Sequence, residues 1–250
     1  METMTPHDLP LLLALVLVHL VADFFMQANA WVADRNTRHY RSKFVYLHSA
    51  IHGVMSWILL WFVLTDTALS LSMAAVIGLT HALIDIGKSY TPRGKYSWFI
   101  LDQILHLSVI LLVWLYLTDQ WPLMRQAGAW LISTKPLLVL TAYVTIMRPF
   151  SFMIAVVIGK WSHEIDNSGS LAQTGARIGL LERFLILTFV LVDQFAAIGF
   201  LLAAKSVLRF SDLREVQHRK LTEYVLLGTL LSFAATITLG LVTREALALI

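Results

Sequence analysis

Residues 80–88 read THALIDIGK. His81 and Asp85 stand four positions apart in a run that is largely apolar from 67 to 88. At 3.6 residues per turn, that spacing stacks both side chains on one helical face. Ionisable groups are costly inside a bilayer and face other helices rather than lipid. The stretch therefore predicts a membrane-spanning helix whose polar stripe looks into a bundle. The pattern recurs three times: His19 and Asp23 in HLVADFFMQ (19–27), His48 and His52 in LHSAIH (47–52), and Asp102 and His106 in LDQILH (101–106).

Composition points the same way. Of 250 residues, 58% are apolar and 14% are charged, and the mean hydropathy is +0.71. A soluble domain carries about 25% charged residues, so this chain lacks the polar surface to stay in water. The absence of cysteine excludes disulfides, thiolate metal sites and cysteine nucleophiles. The net charge of +3 reads as basic loops on one side of a membrane, not as a nucleic-acid footprint.

A hydrocarbon core needs roughly 20 apolar residues per helix. Such runs fall at about 9–31, 44–65, 67–88, 97–118, 136–159, 180–203 and 222–243. The expectation is an all-α polytopic membrane protein with about seven transmembrane segments. Residues 1–118 form a four-helix bundle carrying the His/Asp pairs. Residues 119–135 form an interfacial linker anchored by Trp121, Pro122 and Trp130. Residues 136–250 form a three-span region, in which Arg148-Pro149 would make 136–159 re-entrant if the helix breaks there. Arg35, Arg38, Arg41 and Lys43, with Lys88, Arg93 and Lys95, place two connections in the cytoplasm and the N-terminus outside. The first run lacks a basic leader and carries His19 and Asp23, so it is not a cleaved signal peptide.

Counted from the span ends, all four pairs fall in one slab in the cytoplasmic half of the membrane. Five imidazoles and three carboxylates (His19, Asp23, His48, His52, His81, Asp85, Asp102 and His106) form a hard nitrogen and oxygen donor set without sulfur. That set suits divalent Zn or Mn, with Fe also compatible. Eight ligands exceed one tetrahedral ion, so two ions with bridging carboxylates are expected, and Asp85 or Asp102 is the natural bridge. Gln27 and Gln103 are candidate hydrogen-bond partners of the ligands, although Gln103 is expected to point to another side of its helix. Lys88, one turn past Asp85, either neutralises a substrate phosphate or snorkels to the interface.

These motifs, with IGLLER (178–183), AIGFLLAAKSVLRF (197–210) and EYVLLGTLLS (223–232), resemble an uncharacterised family of bacterial inner-membrane proteins, a domain of unknown function. The first half is also similar to inner-membrane metal-dependent hydrolases that carry His and Asp pairs on successive helices. The first resemblance implies a bacterial inner-membrane location, and the second implies hydrolysis.

In the second half, Arg148 and Asp193 fall near the middles of successive runs and are expected to form an intramembrane ion pair. Glu182 and Arg183 are placed at a helix start. Lys205 and Arg209, one turn apart, are candidates for a phosphate or lipid head group. No phosphate-binding, dinucleotide, zinc-protease or serine-hydrolase motif occurs.

The functional expectation is a di-metal hydrolase acting on a lipid or lipid-linked substrate near the cytoplasmic leaflet. Asp85 and Asp102 are the catalytic candidates, one of them serving as general base if it is not used as a ligand. A divalent-metal or proton transporter and a di-iron oxidoreductase use the same residues. A bis-His haem leaves the aspartates unexplained.

Overall fold

The computed structural model describes residues 8–92, 94–159, 172–210 and 216–250, with side chains over 9–92, 94–159, 175–207, 223–224 and 226–250. Every regular element among them is helical. The chain divides into two compact units, Met1–Gln126 and Ala127–Ile250.

The first unit holds α1 (Asp8–Phe25), α2 (Asn29–Arg38), a 3-10 turn (His39–Arg41), α3 (Lys43–Val63), α4 (Thr67–Ser89) and α5 (Tyr96–Thr118). α1 packs against α3 and α5, and α4 packs against the same two helices, which closes a four-helix ring. Helices α3, α4 and α5 are each long and apolar enough to cross a membrane. α1 qualifies only together with α2, from which it is bent by 85°. The run expected as one span over 9–31 therefore ends at Phe25. Asp34, Arg35, Asn36 and Arg38 make α2 too polar to continue into hydrocarbon, and the chain turns instead.

Side-chain caps start the next two helices. Ser42 Oγ accepts from the Phe44 amide at 3.3 Å and donates to Asp34 Oδ2 at 2.6 Å. Asp66 Oδ1 accepts from the amides of Ala68 and Leu69 at 2.8 and 3.0 Å. Each cap satisfies amides that have no partner within the helix.

The interior of this ring is divided along its length. At one end Leu11, Leu15, Leu60, Ala74, Ile77, Ile110, Val113, Trp114 and Leu115 form a buried apolar core. At the other end the five histidines, Asp85, Asp102, Arg35, Ser42, Ser49 and Ser89 are buried, with only Ala22, Val45 and Ala82 as buried apolar neighbours among the described residues. Leu13, Leu17, Leu79, Leu83 and Ile104 are exposed on the outside. Charge inside and leucine outside is the arrangement a lipid solvent favours. α3 and α4 approach closely where Gly53 faces Gly78. A Cβ on Gly78 would lie 3.1 Å from the Ser49 carbonyl oxygen and 3.3 Å from the Gly53 Cα. That contact lets the His52 and His81 rings stack with centroids 3.7 Å apart.

Helix α6 (Trp121–Leu131) runs across the boundary between the units. The second unit continues with α7 (Thr134–Ile158), α8 (Ala172–Leu191), α9 (Phe195–Phe210) and α10 (Val216–Ala248). α8 packs against α7, α9 and α10. Ile186, Val190, Ile198 and Phe233 form one buried cluster, and Ala142, Ile146 and Leu187 form another. α7 and the Leu226–Ala248 part of α10 are long and apolar enough to span.

Among the described residues there are thus five spanning helices, or six if the bent pair is counted as one. The expected seven are not all present as single helices. The run 180–203 is two helices: α8 begins earlier, at Ala172, and stops at Leu191. The stop is a Schellman motif. The Gln194 amide bonds the Phe189 carbonyl at 2.7 Å, the Asp193 amide bonds Val190 at 3.2 Å, and Asp193 adopts φ 62°. α7 continues as helix through Pro149, so the expected re-entrant break is absent. The several apolar helices make this a multi-pass membrane protein.

Candidate metal centre

The four polar pairs belong to four different helices of the ring. His19 and Asp23 lie near the end of α1, His48 and His52 near the start of α3, His81 and Asp85 near the end of α4, and Asp102 and His106 near the start of α5. With 1.5 Å of rise per residue, all eight sit within about 15 Å of the same end of the bundle. All five histidines, Asp85 and Asp102 are buried, and the Asp23 side chain keeps 11% of its surface.

Asp23 is the hub. His52 Nε2 lies 3.0 Å from its Oδ1, His48 Nε2 3.2 Å, and His81 Nε2 3.6 Å. Gln103 Nε2 donates to its Oδ2 at 2.9 Å and lies 3.3 Å from Asp102 Oδ2. The Gln103 side-chain oxygen lies 3.4 Å from His19 Nε2. Gln103 therefore points into the site, against the expectation that it faces elsewhere. Gln27 does not join it. α1 ends two residues earlier, so Gln27 leaves the helical register that carries Asp23 and sits in the bend before α2.

Two cations hold the outer edges of the other carboxylates. Arg35 is 5% exposed, and its Nη1 donates to Asp85 Oδ1 at 2.6 Å. Lys88 Nζ donates to Asp102 Oδ2 at 2.5 Å and lies 5.5 Å from the Phe99 ring centroid. Lys88 is thus drawn inward and does not simply snorkel. Sequence reasoning counted Arg35 only as a loop charge. Its signal was an Arg in a short polar segment after an apolar run, and the 85° bend between α1 and α2 brings it back to the bundle.

The inner edges are different. Asp85 Oδ2, Asp102 Oδ1, His81 Nε2, His48 Nδ1 and both ring nitrogens of His106 are buried without a hydrogen-bond partner among the described residues. Buried polar atoms are rarely left this way, because each loses its hydration without replacement. The unpartnered atoms belong to groups that converge. Donor atoms lie within 4.8 Å of one another in three sets: His19, Asp23, His52 and His81; His48, His81 and Asp85; and Asp85, Asp102 and His106. His81 joins the first set to the second, and Asp85 joins the second to the third. Imidazole nitrogen and carboxylate oxygen, with each carboxylate bonded on its far side, is the donor chemistry of a transition-metal or zinc site.

The residues singled out in the second half do not assemble comparably. Asp193 is exposed at the α8–α9 turn and pairs with Arg244, which replaces the expected Arg148–Asp193 pair; Arg148 is exposed on α7. The αL turn at Asp193 takes it out of any span interior. Lys205 Nζ is bonded to Glu182 Oε2 at 2.6 Å, and the Arg209 side chain lies outside the described residues. Glu182 and Arg183 are not at a helix start, because α8 begins ten residues before Glu182. Arg183 is buried, and its Nε donates to the Ile146 carbonyl at 2.7 Å, with Ser151 Oγ and the Met147 carbonyl beside Nη2. Pro149 disturbs the α7 ladder at this level, and Arg183 supplies donors there.

No curated protein and no solved structure matches the chain. Residues 11–132, which include all eight His and Asp side chains of the cluster, match the family described as protein of unknown function (DUF3307).

Proposed function

We propose that the chain is an integral membrane metalloprotein, a di-metal hydrolase acting on a lipid or lipid-linked substrate. One observation carries this reading: imidazoles and carboxylates converge from four helices, and those on three of the helices carry buried atoms with no hydrogen-bond partner among the described residues. Two divalent ions, zinc or manganese, fit three donor sets linked one to the next by His81 and Asp85. Divalent cations held there would supply Lewis acidity to the scissile group and would lower the pKa of water. The protein's own part is to fix the donors and to keep bulk water out. Arg35, Lys88 and Gln103 orient the carboxylates.

Access supports a lipid substrate. Asp23 and Lys88 are the charged groups of the site that keep the most exposed surface, and exposed Phe24 and Phe99 pack against each other beside them, with centroids 6.3 Å apart. An apolar rim around a polar mouth suits entry from the bilayer. Basic residues at this end of the bundle favour the cytoplasmic leaflet of a bacterial inner membrane, with the N-terminus outside.

The test is hydrolysis by the zinc- or manganese-loaded protein in bilayers, measured as release of head groups. His81→Ala and Asp102→Ala are expected to abolish turnover without loss of membrane insertion. Wild-type turnover by the His81→Ala protein contradicts the mechanism.

A further inference from the structure

The charges around the cluster narrow the substrate class, on the basis of the metal-centre reading above. Asp85 is matched by Arg35 and Asp102 by Lys88, each pair in hydrogen-bond contact. Asp23 is the one carboxylate of the cluster held only by imidazoles and an amide. With neutral imidazoles, the protein part of the centre carries a single uncompensated negative charge. One divalent cation outweighs it, and two outweigh it further. The loaded centre is therefore positive at either occupancy, inside a low-dielectric bundle where an unbalanced charge is costly.

A neutral ester or amide leaves that imbalance in place. An anionic group removes it. Among hydrolysable groups, a phosphate ester carries the charge in its ground state and keeps it through the transition state. We propose that the substrate of this centre is a phosphate ester whose phosphate seats between the cluster and Lys88. The Lys88 side chain is 24% exposed at the mouth, whereas Arg35 is closed in against Asp85. Lys88 is thus the cation able to turn from its carboxylate to an incoming phosphate. In the reaction, a water oxygen forms a bond to phosphorus and the bond to the alcohol oxygen breaks. The water releases a proton, and the departing alcohol oxygen takes one up. No oxidant or reductant is required.

The phosphate can belong to a membrane lipid or to a soluble ester, and one experiment separates the two. The full-length protein is loaded with manganese in phosphatidylcholine nanodiscs, and ³¹P relaxation is measured in two arms. One adds inorganic phosphate; the other adds phosphatidate to the nanodisc. Strong, saturable broadening in the phosphatidate arm supports the proposal with a lipid source, and broadening by inorganic phosphate alone supports it with a soluble source. Lys88→Met, kept at manganese concentrations that saturate it despite its weaker metal binding, is expected to weaken the saturable effect of phosphate about tenfold. A manganese-loaded protein that broadens neither signal overturns the phosphate proposal and leaves the metal reading standing. A folded protein that takes up no manganese or zinc overturns both.

Discussion

Arg35 Nη1 donates to Asp85 Oδ1 at 2.6 Å, across a sequence separation of 50 residues, while Asp85 Oδ2 has no hydrogen-bond partner among the described residues. One carboxylate thus has an outer oxygen fixed by a guanidinium and an inner oxygen aimed at histidines. Lys88 and Asp102 repeat the arrangement on the neighbouring helix, with Asp102 Oδ1 unpartnered. Ligand carboxylates held from behind in this way keep their orientation, and loss of such a partner typically weakens metal binding 10–100-fold.

Arg35→Met is expected to destabilise the protein by about 3 kcal/mol or more, because it leaves Asp85 as an uncompensated buried charge. Adding Asp85→Asn removes that charge and is expected to recover most of the stability but not the metal affinity. Thermal denaturation in detergent, paired with metal titration, checks both. Equal stability of the single and double variants contradicts the assigned pair.

Gly78→Ala places a Cβ 3.1 Å from the Ser49 carbonyl oxygen, and neither backbone can yield without parting α3 from α4. The stacked His52 and His81 rings move with those helices. The variant is expected to insert in the membrane normally and to lose metal affinity by at least tenfold. Unchanged metal titration shows that the helix approach does not set the site.

Asp193 occupies the left-handed position of the Schellman turn after α8. Glycine adopts that conformation freely, so Asp193→Gly is expected to shift stability by less than about 1 kcal/mol, despite loss of the exposed pair with Arg244. Asp193→Val, a β-branched residue with φ above zero, is expected to cost about 1–3 kcal/mol. A reversed order of the two variants in thermal denaturation contradicts the turn assignment.

Arg183→Leu removes the donors that reach the Ile146 and Met147 carbonyls and Ser151 near Pro149. The expected cost is about 1–3 kcal/mol, since the buried Ile146 carbonyl loses the Arg183 donor. Arg183→Lys recovers only part of it, because an ammonium lacks the planar fork that contacts several acceptors at once.

The helical class and the convergence of the four polar pairs were legible in the sequence, because i,i+4 spacing fixes a face and apolar flanks fix an inward direction. His81 and Asp85 illustrate both. What hydropathy could not show was where a helix stops. Phe25 and Leu191 end their helices inside or beside apolar runs, through a bend and a left-handed Asp193, and neither changes mean hydropathy much. Arg35 was missed for the same reason: its place beside Asp85 depends on the bend and not on its own spacing. Gln103 was misassigned because a long amide can reach round a helix face from a position next to Asp102.

Metal content tests the central claim most directly, measured by mass spectrometry on the detergent-purified wild-type chain and on His106→Ala. His106 is the sharpest choice, since both its ring nitrogens are buried with no hydrogen-bond partner among the described residues. The account predicts about two zinc or manganese ions per wild-type chain, a pair sharing ligands as in di-metal helical bundles, and a clear loss in the folded variant. A folded wild-type protein that stays free of metal after incubation with zinc or manganese contradicts it.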